Sequence, residues 1–297
     1  MIRFPHSVIV ALALIISGCG GKPEPGAPID PIIERHAFAG QSALAVERPQ
    51  QAVEEFHRAL VRARERDDAE AIGDLGFNLA VAQLHAGEPA AALATAREVE
   101  AELMRRADNR HGAGLAGLQL VAAIALYRTG QPAVADAVAA RIEGGSDAIS
   151  ARAAFLRGLI ADDQADVTGL QAALDRIAGS REPEHQADAA ELAARLALRR
   201  GDTARARAEA ERAANVRRIL LDYRALARSL ALAARAAALA GDGAASADLY
   251  LRAGRGAAAQ DDKTSAKRWL HQAIDLSHDP TLTRSARAAL TDLDVPR

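Results

Sequence analysis

His271, Asp275 and His278, followed by Asp279, fall at i, i+4 and i+7, a spacing that could place three metal ligands on one helix face. Pro280 follows directly, and a histidine near a helix C-terminus is favoured by the macrodipole without any metal. The simpler reading assigns no metal here and no cofactor elsewhere. A second cluster, Ser-Arg-Glu-Pro-Glu-His-Gln-Ala-Asp at 180–188, offers Glu184 and His185 for acid–base work. Ser180, Glu182, Pro183 and Glu184 also read as helix-start chemistry, with acids at the positive end of the dipole. No nucleophile or oxyanion donor accompanies them, nor does any phosphate loop, serine elbow or paired-cysteine spacing occur, so the expectation is a protein that is not an enzyme. The third residue with chemistry to offer is Cys19, the single cysteine of 297 residues.

Cys19 closes a short leader. Arg3 and the amino terminus are positive, and Val8 to Ile16 is an uncharged apolar run, too short to span a bilayer as a helix. Ile16-Ser17-Gly18-Cys19 resembles the lipobox of bacterial lipoproteins. That resemblance implies cleavage before Cys19 and acylation of the new terminus, for instance by palmitate. Two or more acyl chains give stable membrane attachment where one does not. Gly20 in place of an aspartate resembles the outer-membrane sorting signal. The expected order is a signal peptide over 1–18, then a lipidated, Gly- and Pro-rich tether over 19–32. The implied location is the periplasmic face of a bacterial outer membrane.

Beyond the tether the chain is built for helices. Alanine supplies 74 of the 297 residues and aromatics 3%. Alanine is the best helix former and fills little space, so such a chain buries area through closely approaching helices. A net charge of −2 gives no field that would favour nucleic acid. No stretch alternates as a strand would.

A turn recurs. His-Ala-Gly87-Glu-Pro, Arg-Thr-Gly130-Gln-Pro, Arg-Arg-Gly201-Asp-Thr and Leu-Ala-Gly241-Asp-Gly each precede an alanine-rich stretch. Ala80, Ala123, Ala194 and Ala234 lie seven residues before these glycines; Ala92, Ala135, Ala206 and Ser246 lie five after. The long gap between Gly130 and Gly201 fits two units, with Ala-Asp-Asp-Gln-Ala-Asp-Val-Thr-Gly at 161–169 as a turn lacking the glycine. Gly40, a turn near Glu47 to Pro49, and the stretch 52–60 fit the same frame upstream. Phe56 with Ala59, Tyr250 with Ala253, and Leu270 with Ala273 supply a large residue followed by a small one. This pattern resembles the tetratricopeptide repeat family over about residues 33–278, although the aromatic positions are mostly alanine and two intervals exceed the usual length. The resemblance implies an all-α, right-handed α-solenoid of antiparallel helix pairs. About six pairs would fill 33–297, with Thr281 to Leu293 as a capping helix.

In that family the first helix of each unit lines the concave face. Counting back from the turn glycines gives Phe77, Val81 and Leu84, then Leu120, Ile124 and Tyr127, as an apolar groove. The same count gives Glu191, Arg195 and Leu198, then Ala231, Arg235 and Ala238, as its polar continuation. The same apolar residues one register away would be core. Two functions fit: a scaffold that binds a protein partner of an envelope assembly or transport machine, and a carrier that holds an apolar ligand such as a lipid in the groove.

Overall fold

The structure is a computed structural model that describes residues 30–106, 112–142 and 146–293. The signal, Cys19 and nearly all of the tether lie outside the described residues. Residues Pro31–Arg297 form one compact unit. Every regular element described in it is a helix, and successive helices pack antiparallel in pairs. The pairs are α1 (Pro31–Ala45) with α2 (Pro49–Glu65), α3 (Ala69–His85) with α4 (Pro89–Arg105), and α5 (Gly112–Arg128) with α6 (Pro132–Ala139). They continue with α7 (Asp147–Asp163) and α8 (Val167–Ile177), α9 (Pro183–Arg199) and α10 (Thr203–Ile219), and α11 (Tyr223–Leu239) and α12 (Gly243–Ala259). The last two are α13 (Lys263–Leu276) and α14 (Pro280–Leu293). The fold is an all-α solenoid of antiparallel helix pairs. Its final helix packs on both α12 and α13, so fourteen described helices make seven pairs.

One turn chemistry joins them. Gly87, Gly130, Gly201 and Gly241 all sit at φ between 77° and 80°, the left-handed position that ends a helix without a Cβ clash. Behind Gly87 the Glu88 N–H reaches the Gln83 carbonyl at 2.9 Å, the wrap that satisfies the last carbonyls of α3. Glu47, Asp67, Ala165, Leu221 and Asp261 take the same conformation without being glycine, which costs each about 1 kcal/mol of backbone strain. Ala165 is the turn that the spacing places at 161–169. The next residue starts the following helix. Asp68, Asp166, Asp202, Asp222, Asp242 and Asp262 each accept a backbone N–H of the first turn through the side chain. Helices α2, α4 and α6 have no such side-chain cap and begin with proline, whose missing N–H is harmless at that position.

The small residues of the repeat pattern are where helices touch. Ala80, Ala123, Ala194, Ala234, Ala92, Ala135, Ala206 and Ser246 are all fully buried. Phe56 is also fully buried and packs where a side chain on Gly40 would stand, since a Cβ there would meet the ring at 2.8 Å. Leu270 does the same at Gly254. Large side chains thus enter gaps left by glycine and alanine, and the core runs along the array in successive clusters.

The array curls on itself. The Gln260 amide in the turn after α12 donates to Glu47 Oε2 in the turn after α1 at 2.8 Å. Two turns far apart in sequence therefore meet, and the first helices of the pairs face a common interior.

Candidate functional site

That interior is a cavity of about 1380 Å³. Leu84 and His85 line it from the end of α3, and Ile124, Tyr127 and Arg128 from the end of α5. Arg152, Phe155, Leu156 and Leu159 come from α7, Arg195 from α9, and Arg224, Ala227 and Arg228 from the start of α11. The wall therefore moves along the inner helices, from their C-terminal ends in α3 and α5 to the N-terminal end in α11. A fixed offset from each turn glycine cannot follow this drift. Leu84, Ile124 and Tyr127 of the expected apolar stripe reach the cavity. Leu120 is buried in the core beside Ala123 and Leu126. Phe77 and Val81 are half-buried against the neighbouring core, with the Phe77 ring over Gly117. The expected polar continuation divides too. Arg195 lines the cavity, whereas Glu191 is 1% exposed and Ala231 is buried.

Glu191 belongs to a buried ion network. Arg217, itself 2% exposed, bonds Glu191, Asp188 at 3.0 Å and the Ser229 hydroxyl at 2.6 Å. Arg195 bonds the other Glu191 oxygen at 2.7 Å and Asp162 at 2.9 Å. Arg199 bonds Asp162 at 2.6 Å, and Arg152 bonds Asp188 at 3.0 Å. Residues of α7, α9, α10 and α11 are tied together in this way. Burial alone would raise the Glu191 carboxyl, but the charges of Arg217 and Arg195 outweigh it and hold the group below the usual carboxylate range. Asp162 follows the same logic through Arg199 and Arg195.

On the cavity wall the balance is different. Arg128 donates to the Leu84 carbonyl at 2.8 Å, and Arg224 to the Gln260 carbonyl at 3.1 Å. Arg228 makes no hydrogen bond to any described residue, and none of the three forms an ion pair among the described residues. Burial, then the charges of Arg228 and Arg224, push the Arg128 guanidinium below its ordinary value. Burial, then Arg224 and Arg128, do the same to His85, which is therefore neutral at pH 7. The acids felt by this group are Glu191, the leading attraction on Arg228, together with Asp222 and Asp262; Glu191 is already bonded by Arg217 and Arg195, and the two aspartates cap Ala225 and Ser265 at 3.0 and 3.1 Å. Seven cationic side chains and four carboxylates line the whole cavity, although the chain as a whole carries a charge of −2. Tyr127 donates its hydroxyl to Asp163 at 2.6 Å, and burial followed by that bond raises its phenol above the usual range.

The other candidate clusters resolve into local structure. Helix α13 ends at Leu276, so His278 lies past the helix that would have aligned it with His271 and Asp275. Among the described residues no group of histidine, cysteine and carboxylate side chains could hold a metal ion. Ser180 Oγ lies 2.8 Å from His185 Nδ1 and accepts the Glu182 N–H at 3.2 Å, closing the turn before α9. His185 is buried beneath that turn. The sequence reading missed Arg128, Arg224 and Arg228. Their one visible signal is the lack of any acidic residue three or four positions away on either side.

No protein-family model matches the chain, and no curated protein matches it. Solved structures do. A tetratricopeptide repeat protein from Parabacteroides merdae aligns at 15% identity over 87% of this chain and 99% of that one, with a TM-score of 0.47. The TPR2AB domain of yeast Sti1, solved in a pHSP90 complex, aligns at 14% identity over 86% of this chain and 98% of that one, with a TM-score of 0.34. A TPR repeats protein from Bacteroides fragilis aligns at 13% identity over 88% and 98%, with a TM-score of 0.29. The architecture is tetratricopeptide-repeat-like.

Proposed function

We propose that the chain is a scaffold held at the periplasmic face of a bacterial outer membrane by acyl chains on Cys19. It recognises a protein partner of an envelope assembly or transport machine along its cavity wall. The anchor rests on the apolar run at 8–16 and on Ile16-Ser17-Gly18-Cys19. The recognition face rests on one observation. Five inner helices, α3, α5, α7, α9 and α11, converge on a single cavity with an apolar arc of Leu84, Ile124, Tyr127, Phe155 and Leu159. Those side chains are presented by a rigid frame, which lowers the entropic cost of binding.

Ile124→Asp tests the face. Ile124 is half-buried at the cavity, so the variant should keep its melting temperature within a few degrees and lose cross-linking to its envelope partner in the host. Unchanged cross-linking would remove the cavity from recognition. The same apolar arc favours a second reading, a carrier for an apolar lipid. A variant that stays folded, keeps its protein partner and loses a co-purifying lipid would put the carrier first. For the anchor, mass spectrometry of the mature protein should find an acylated Cys19 as its first residue. A mature chain that begins elsewhere would defeat the anchor without touching the scaffold.

A further inference from the structure

Around Glu191 the chain binds its positive charge to its own carboxylates. Arg217, Arg195, Arg199 and Arg152 each hold one or more acids at bonding distance. Arg128, Arg224 and Arg228 hold no acid in this way, and they stand together on one wall. Arg128 ends α5, while Arg224 and Arg228 occupy the first turns of α11, spaced i and i+4 on one face. Arg128 and Arg224 are steadied by carbonyls, Leu84 and Gln260, which fix direction and leave their charge uncompensated. Arg228 stands in the cavity with no hydrogen-bond or ion-pair partner among the described residues. The carboxylates that act on them are already engaged: Glu191 by Arg217 and Arg195, Asp222 and Asp262 each by a helix start.

We propose that Arg128, Arg224 and Arg228 form a binding site for a phosphate-type oxyanion, supplied as a free phosphate ester or as a lipid phosphate headgroup. The planar guanidinium fork matches the oxygens of such a group two at a time. A phosphate carries close to two negative charges at neutral pH and three acceptor oxygens, so one ligand can engage all three arginines. A single carboxylate could neutralise only one. The surroundings also suit a compact ligand. The Gln260–Glu47 bond joins the turn after α12 to the turn after α1, and Lys263 and Arg255 line the same cavity together with Glu47, Asp261, Asp262 and Asp292. An anion held there bridges α5 to α11 and relieves the mutual repulsion of the three cations. The arc of Leu84, Ile124 and Phe155 lies on the same wall, so an acyl chain attached to the phosphate would find apolar contact. This site goes beyond the partner-binding reading and stands whether or not a protein docks on the wall.

Titration calorimetry of the full-length chain in mild detergent, at constant ionic strength, tests it with inorganic phosphate, pyrophosphate and chloride as probes. One saturable site for phosphate or pyrophosphate is expected, with none for chloride. Arg228→Gln should weaken it at least tenfold while leaving the melting temperature without ligand unchanged, because Arg228 supports no bond in the fold. Arg252→Gln, on the exposed side of α12, should bind as the parent does. Dihexanoyl phosphatidic acid, compared with dihexanoyl phosphatidylcholine, separates the sources. Tighter, Arg228-dependent binding of the former assigns a lipid phosphate, and equal binding of phosphate and phosphatidic acid assigns a free ester. Absence of binding by every phosphate probe overturns the proposal. So does undiminished binding in Arg228→Gln, or capture of an acidic peptide in place of any phosphate.

Discussion

Arg217 and Arg228 lie on consecutive helices, and neither has an acidic residue three or four positions away. Arg217 is shut off from solvent and bonded to Glu191, Asp188 and Ser229. Arg228 stands in a cavity with Arg128 and Arg224 and is bonded to no carboxylate; Glu191, which attracts it, is already held by Arg217 and Arg195. One charge is consumed by the fold and the other is left over. A buried pair is expensive to break because its survivor is stranded without water, whereas a solvated cation costs little to remove. Stability and binding should therefore separate cleanly between the two arginine groups.

The sharpest break is within the network. Arg217→Ala or Glu191→Ala should destabilise by about 3–5 kcal/mol in urea unfolding, since either leaves a buried partner unpaired. The network also makes an acid limb. Glu191 titrates in the folded state below its ordinary value of 4.5, so the native chain binds fewer protons than the unfolded one in that window. Its contribution is present above pH 4.5 and declines as the pH falls below it. Glu191→Gln should lower stability at pH 7 and flatten this decline. Unfolding curves collected from neutral to acid pH for both proteins would show it.

The next effect concerns the helix contacts that both halves share. Ala123→Phe should cost about 1–3 kcal/mol, because Ala123 is fully buried in the core cluster with Leu120, Leu126 and Ala135. Gly241→Ala should cost about 1 kcal/mol through φ alone, as nothing lies within 4 Å of a Cβ there. Leu221, in the same conformation at φ 58° and largely exposed, sharpens the point: Leu221→Gly relieves strain without losing packing and should leave stability equal or higher. Smallest of all, Arg228→Gln should change stability by less than about 0.5 kcal/mol.

These contrasts mark where sequence carried the fold and where it stopped. The turn glycines and the small residues around them were legible because steric exclusion is local, and the helix contacts admit only small side chains such as Ala234 or Ser246. The turn at Ala165 was legible from spacing alone, although its residue type gives no hint of φ 58°. The wall was legible in part. A repeat frame assigns each residue an offset from its turn, but the curl of the array shifts the interior from the ends of α3 and α5 to the start of α11. That shift sums small rotations over many pairs, and no single window of sequence contains it. Leu120 fell into the core and Arg224 and Arg228 onto the wall for this reason. The fate of each arginine was illegible for a related reason. Glu191 and Asp188 reach Arg217 from α9, the other helix of its pair, and no spacing within α10 announces them.

The most direct measurement is thermal unfolding of the parent, Arg217→Gln and Arg228→Gln, each with and without inorganic phosphate at fixed ionic strength. Arg217→Gln should melt well below the parent and keep the rise in melting temperature that phosphate produces. Arg228→Gln should melt with the parent and lose that rise. A phosphate-induced rise that survives in Arg228→Gln, or a large loss of stability in Arg228→Gln beside an unaltered Arg217→Gln, would contradict the division of the two arginine groups into fold and site.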